Sequence, residues 1–151
     1  MIHLQRTTSK NPDFQKLVKE LDADLENRDG SEHPFFAQFN KIENIRYVVV
    51  VYDGDKPIGC GSIKEHSEKI MEIKRMFVLR EKRGQGIASL ILRELEKWCG
   101  ELNYEKCILE TGERQPEAIR LYKKNNYKII PNFGQYANVE SSVCFEKNLK
   151  A

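Results

Sequence analysis

The run Arg83-Gly84-Gln85-Gly86-Ile87-Ala88-Ser89 sets two glycines where a strand-like pattern gives way to a helix-like one. Glycine lets a chain come close to a ligand, and the first turn of a helix carries amide N–H groups that have no helical partner. Such amides, at the positive end of the helix dipole, make a pocket for phosphate oxygens. Arg80, Lys82 and Arg83 add positive charge beside it. By this logic the ligand carries a phosphate or pyrophosphate, although the same residues also suit a plain tight turn with solvated basic side chains. A P-loop is excluded, because no glycine here begins a GxxxxGK run followed by Ser or Thr. A dinucleotide fingerprint comes closer, with Gly84, Gly86 and then Ser89, and with Glu110 ending the next strand about 20 residues on. Ser89 departs from its third small position, and the hairpin-rich first half lacks the repeated parallel β-α units of a dinucleotide-binding domain.

Other reactive side chains offer less. Cys60, Cys99, Cys107 and Cys144 stand far apart with no CxxC, and no histidine neighbours any of them, so they read as buried free thiols and not as nucleophiles. His3, His33 and His66 are scattered without ligand spacing, and no metal is expected. Net charge is only +2 in 151 residues, too weak a field to gather nucleic acid or anionic lipid. The segment MIHLQRTTSK lacks an apolar signal core, and the longest apolar stretch, Val48 to Tyr52, is too short to cross a bilayer. A single soluble domain over residues 1–151, in a reducing cytoplasm and with no membrane or nucleic-acid partner, is the expectation.

The elements that must position the glycine turn follow from periodicity. Ile2 to Thr7 reads as a strand; Asn11 or Asp13 caps a helix with Phe14, Leu17, Val18, Leu21 and Leu25 on one face. The stretch from Arg28 to Pro34 is broken by Gly and Pro, and Phe35, Phe36 and Phe39 form a short aromatic turn, read together as a mobile arm over a site. Ile45 to Asp53 and Pro57 to Lys64 make a hairpin about Asp53-Gly54-Asp55-Lys56. Ile70 to Leu79 is the next strand; regular alternation sends Ile73, Arg75 and Phe77 one way and Glu72, Lys74, Met76 and Val78 the other. From Gly84, Ile87, Leu90, Ile91, Leu95, Trp98 and Leu102 keep helical spacing until a left-handed stop at Asn103. Lys106 to Glu110, Gln115 to Asn125, Tyr127 to Ile130 and Ser142 to Lys147 alternate strand, helix, strand, strand. The fold class is α+β, antiparallel strands first and a β-α-β-α-β passage second.

RxxGxA at Arg83 to Ala88, the strand Met71-Glu-Ile-Lys-Arg-Met-Phe-Val78, and Ala118-Ile-Arg-Leu-Tyr122 followed by Asn126-Tyr127 resemble the GNAT acetyltransferase superfamily in content, order and spacing. The resemblance implies a mixed central sheet splayed between its fourth and fifth strands and flanked by helices, with acetyl-CoA in the wedge. Pyrophosphate would sit on the amides of Arg83, Gly84, Gln85, Gly86, Ile87, Ala88 and Ser89. Pantetheine would pair like a strand with Met76, Phe77 and Val78, and a backbone N–H, that of Met76, would polarise the thioester carbonyl. Gln115 stands where the family commonly has Asn, and Asn126 where Gly usually precedes the aromatic.

The same resemblance implies direct acetyl transfer to a primary amine in a ternary complex. Glu72 matches the general base of histone-acetylating members, and Tyr122 the usual general acid toward the departing thiolate. Glu72 also fits an ion pair with Lys74 or Arg75, and Tyr122 a packed core tyrosine. Arg75 reads as structural or as a carboxylate ligand reached across a bulge. Glu110 could hold an ammonium group or cap the next turn. Glu32 to Phe39 and Phe133 to Asn138 stand where relatives build the acceptor pocket, with His33 read as solvent-exposed. The acceptor is a small molecule or a peptide. Val143 to Phe145 suit either a homodimer contact or a central strand. An acyl-CoA sensor without turnover, or a nicotinamide-dependent oxidoreductase, are the alternatives.

Overall fold

A computed structural model describes residues 1–32, 34 and 45–149. The elements are β1 (Ile2–Thr7), α1 (Pro12–Asp29), β2 (Tyr47–Asp53), β3 (Lys56–Ser67), β4 (Ile70–Val78), α2 (Ile87–Glu101), β5 (Lys106–Gly112), α3 (Pro116–Lys124), β6 (Lys128–Ile130) and β7 (Ser142–Asn148). Single 3₁₀ turns lie at Gly30–Glu32, Arg80–Lys82 and Gly134–Tyr136. Asn11 caps α1, its Oδ1 accepting the Asp13 N–H at 2.8 Å, and Pro12 fits the first helical position, where no donor is needed. That helix runs through Arg28 and Asp29, past the break read at Arg28, because Gly30 (φ 56°) is the first residue able to leave the helix left-handed. Asn103 (φ 69°) ends the turn after α2 in the same way.

One sheet carries seven strands in the order β1-β2-β3-β4-β5-β7-β6. Every neighbouring pair is antiparallel except β4 and β5, which α2 connects as a crossover. With one parallel pair, the repeated β-α units of a dinucleotide-binding domain are not present among the described residues. β4 and β5 pair over three rungs only, Ile70–Lys106, Met71–Cys107 and Glu72–Ile108, and then part. Cys144 and Phe145 of β7 are paired on both sides, to β5 and to β6, which is the central-strand arrangement.

Helices cover both faces. Four successive residues, Val48 to Val51, are fully buried although their side chains alternate, so β2 reads as an unbroken apolar run. Phe14, Leu17, Val18 and Leu21 of α1 close one side; Ile87, Ile91, Leu92, Leu95 and Cys99 of α2 close the other. Each buried side chain of this size contributes roughly 1.5–3 kcal/mol.

The alternation expected along β4 does not hold. Cys60 pairs with Phe77 and Ser62 with Lys74, so β3 advances by two residues while β4 advances by three. The surplus residue is a bulge at Arg75, which takes φ 58°. Beyond it the faces exchange: Met76 and Val78 lie with Ile91 on the α2 side, next to Gly61 and Gly59, while Phe77 joins Glu72, Lys74 and Arg75 on the α1 side. The face first expected for Arg75, Met76, Phe77 and Val78 is thereby corrected.

Candidate active site

The parting of β4 from β5 opens a cleft of about 540 Å³. Its walls are the end of β4, the turn after it, the start of α2, Glu110 and Thr111 of β5, α3, and Leu21, Asp24 and Leu25 of α1. Among the expected residues, Glu72, Met76, Phe77, Val78, Arg83, Gly84, Gly86, Ile87, Ala88, Ser89 and Tyr122 all line it; Gln85 is exposed and does not.

At the phosphate end, Gly84 (φ 78°) and Gly86 (φ 81°) are left-handed, and a β-carbon at either would meet nothing within 4 Å. The glycines thus give both the backbone geometry and an open approach. The first bond inside α2 runs from Leu90 N–H to Gly86 C=O at 3.1 Å, and no side chain caps the helix. The amides of Ile87, Ala88 and Ser89 therefore have no helical partner. Lys82, Arg83, Arg120 and Lys124 surround this end with positive charge. Arg83 itself is tethered: Nε donates to Val78 C=O at 2.8 Å, and its guanidinium lies 5.5 Å from the Phe77 ring centre. It fixes the turn onto the end of β4. Asn125 Nδ2 donates to Ser89 Oγ at 3.1 Å, joining α3 to the first turn of α2. Gln115, where the family pattern has Asn, lines the cleft and makes no side-chain cap to α3.

The bulge stands at mid-cleft. Arg75 is buried, its Nη2 bonded to Asp22 of α1, and its Nε has no hydrogen-bond partner among the described residues. Arg75 thus joins α1 to the bulge. At the far end, Glu72 Oε2 is 3.7 Å from Lys74 Nζ, with both side chains nearly buried, so the ion pair and the place in the cleft coexist. Tyr122 is 6% exposed, its ring packed at 5.8 Å from Tyr127 and 5.7 Å from Phe145. It lines the cleft, and its hydroxyl makes no hydrogen bond to the described residues. Burial, and then the charge of Glu110, push its pKa above that of an ordinary tyrosine.

Tyr136, buried in the 3₁₀ turn between β6 and β7, also lines the cleft, and sequence reasoning named only its segment. Arg28 pairs with Glu117 of α3, and Glu32 accepts from Ser141 Oγ at 2.8 Å, tying the end of α1 to the second half of the chain. His33, Phe35, Phe36 and Phe39, expected as an arm over the site, lie outside the described residues.

With this geometry in view, similarity to known proteins is informative. The chain is 32% identical to the IAA acetyltransferase of Azospirillum brasilense over 137 residues, 89% of each protein. It is 30% identical over 97 residues to the uncharacterized N-acetyltransferase YjcF of Bacillus subtilis, covering 64% of this chain and 66% of that one. A solved structure from Klebsiella pneumoniae subsp. pneumoniae, provisionally named an acyl-CoA N-acyltransferase, superposes with a TM-score of 0.83 at 27% identity, over 99% of this chain and 98% of that one. The PaiA N-acetyltransferase of Thermoplasma acidophilum, solved with coenzyme A, shares the fold with a TM-score of 0.74 at 16% identity over 98% and 99% of the two chains. Residues 12–127 match the family described as acetyltransferase (GNAT), and the chain belongs to that family.

Proposed function

We propose that this protein is a cytoplasmic acyltransferase domain that moves the acetyl group of acetyl-CoA directly to a primary amine of a small molecule or peptide. Tyr122 carries the reading: a nearly buried tyrosine, its hydroxyl bonded to none of the described residues, in the cleft that opens where β4 and β5 part. The fold shared with a coenzyme A complex supports the donor. The unpartnered amides of Ile87 to Ser89 fit a pyrophosphate, and the freed strand edge of Met76 to Val78 fits the amide groups of pantetheine.

Acetyl-CoA supplies an acetyl group activated as a thioester. Glu72 takes one proton from the acceptor ammonium, which has a pKa of about 10 and is mostly protonated at neutral pH. The freed nitrogen forms the N–C bond as C–S breaks, and Tyr122 gives its proton to the sulfur. The second proton leaving nitrogen restores Tyr122. A backbone N–H at the bulge stabilises the carbonyl oxygen as it becomes negative. Direct transfer is favoured because the four cysteines are free and buried, and burial pushes the Cys60 and Cys144 thiols up to about 12 and about 11. Free thiols also support the cytoplasmic setting, Cys99 and Cys107 standing unlinked with sulfurs 3.5 Å apart.

Release of free thiol from acetyl-CoA, measured with a panel of primary amines, tests this. Amine-dependent release that falls at least about a hundredfold in Tyr122→Phe, the low end of a general acid's usual contribution, is expected. Binding of acetyl-CoA without turnover of any amine would favour a sensor instead.

A further inference from the structure

We propose that Glu110 receives the acceptor as an ammonium ion, so that the acceptor class is a cationic alkyl amine. The inference rests on the transferase reading above and specifies its second substrate. The strand register makes the case. Glu72 and Ile108 are the last paired residues of β4 and β5, and in a parallel pair facing residues point to the same side. Glu110, two residues past Ile108, therefore shares the face of Glu72 but stands across the opening from it, and both line the cleft.

Ser142 fixes this carboxylate. It is buried, and its Oγ donates to Glu110 Oε2 at 2.7 Å, from a position where β5 and β7 are still paired. The helix that follows, α3, takes Gln115 and not Glu110 at its N-cap position. Among the described residues, the groups around the opening include Glu72 and Lys74 from β4, Tyr122 from α3, Tyr136 from the turn before β7, and Cys144 from β7. Lys74 is already paired with Glu72. Burial raises the pKa of Tyr122, Tyr136 and Cys144, and the negative charge of Glu110 adds to each. One fixed anion thus reaches the hydroxyl of Tyr122 and the space in front of it, where the attacking nitrogen must lie.

The test compares n-butylamine, protonated at neutral pH, with hydroxylamine, which arrives neutral. For Glu110→Gln, kcat/KM for butylamine should fall about ten- to a hundredfold, the worth of one hydrogen bond to a charged group. That for hydroxylamine should stay within about threefold, and the KM for acetyl-CoA should not change. Glu110→Asp, which keeps the charge, should recover most of the butylamine rate. Equal losses for both amines, or a raised KM for acetyl-CoA, would show a merely structural role and overturn the inference. So would wild-type protein that acetylates hydroxylamine and not butylamine. Wild-type protein that acetylates neither counts against the transferase reading itself.

Discussion

The Met76 thioether fills the space in front of Gly61: a β-carbon at position 61 would lie 2.5 Å from Sδ and 2.7 Å from Ile91 Cγ2. Glycine is required here by the close approach of β3 to both the bulge and α2. Gly61→Ala should therefore destabilise by about 1–3 kcal/mol, the usual cost of overpacking a core. Urea unfolding measures this, and an unchanged midpoint would show that the bulge side chain moves aside freely.

Arg75 inverts the usual ranking of small residues. With φ at 58°, it holds a conformation that costs a residue with a β-carbon roughly 1 kcal/mol or more and glycine almost nothing. Arg75→Gly and Arg75→Ala both remove the link to Asp22, so the difference between them isolates the backbone. The glycine variant should be more stable by about 1 kcal/mol, and equal midpoints in a denaturant titration would contradict a strained bulge.

Activity should hold at high pH. A free tyrosine loses its proton near pH 10, whereas burial, followed by the field of Glu110, raises the Tyr122 value. A raised pKa keeps the protonated donor available to higher pH. The profile of kcat should show no decline attributable to this group below about pH 10. A fall between pH 8 and 9 that disappears in Tyr122→Phe would reverse the assignment.

Acid should loosen the contact of β1 with α2. Arg6 donates to both oxygens of Glu101, at 2.7 and 3.1 Å, and to Glu94 at 2.6 Å, with its guanidinium over Trp98. The hydrogen bond from Arg6 lowers the Glu101 pKa. The stabilisation is therefore complete above the unfolded value of about 4.3 and is lost as pH falls through the lower folded value. Wild type should lose more stability than Glu101→Gln between about pH 5 and 3, measured as the change in melting temperature.

Much of this molecule was legible in its sequence, for identifiable reasons. Strand and helix periods set β1, the hairpin and α2, and the left-handed geometry expected at Asn103 and Asn126 is present because asparagine is the residue other than glycine that tolerates it best. The glycine turn was legible because two glycines at a strand-to-helix junction suit a tight turn, and Gly84 and Gly86 both take positive φ there. The bulge entered the sequence reading only as one alternative for Arg75, beside the regular alternation that the structure corrects. The period of Ile73-Lys-Arg-Met-Phe77 does not mark an extra residue; the shift shows in the register of β4 against β3, where one inserted residue exchanges every face beyond it. Tyr136 escaped for a related reason: a single 3₁₀ turn has no period, and only the tertiary fold brings it to the cleft.

The parting of the sheet also bears on which strands can pair with it. Unpaired strand edges commonly recruit other strands, and among the described residues β1 and β6 present such edges at the outer margins of the sheet. The inner edges of β4 and β5, past their last shared rung, do not carry the same hazard. Their gap narrows to closure at Glu72–Ile108, so it admits one slender extended chain and turns away any strand that brings neighbours with it. Shape alone thus separates the pairing of a single extended chain from aggregation.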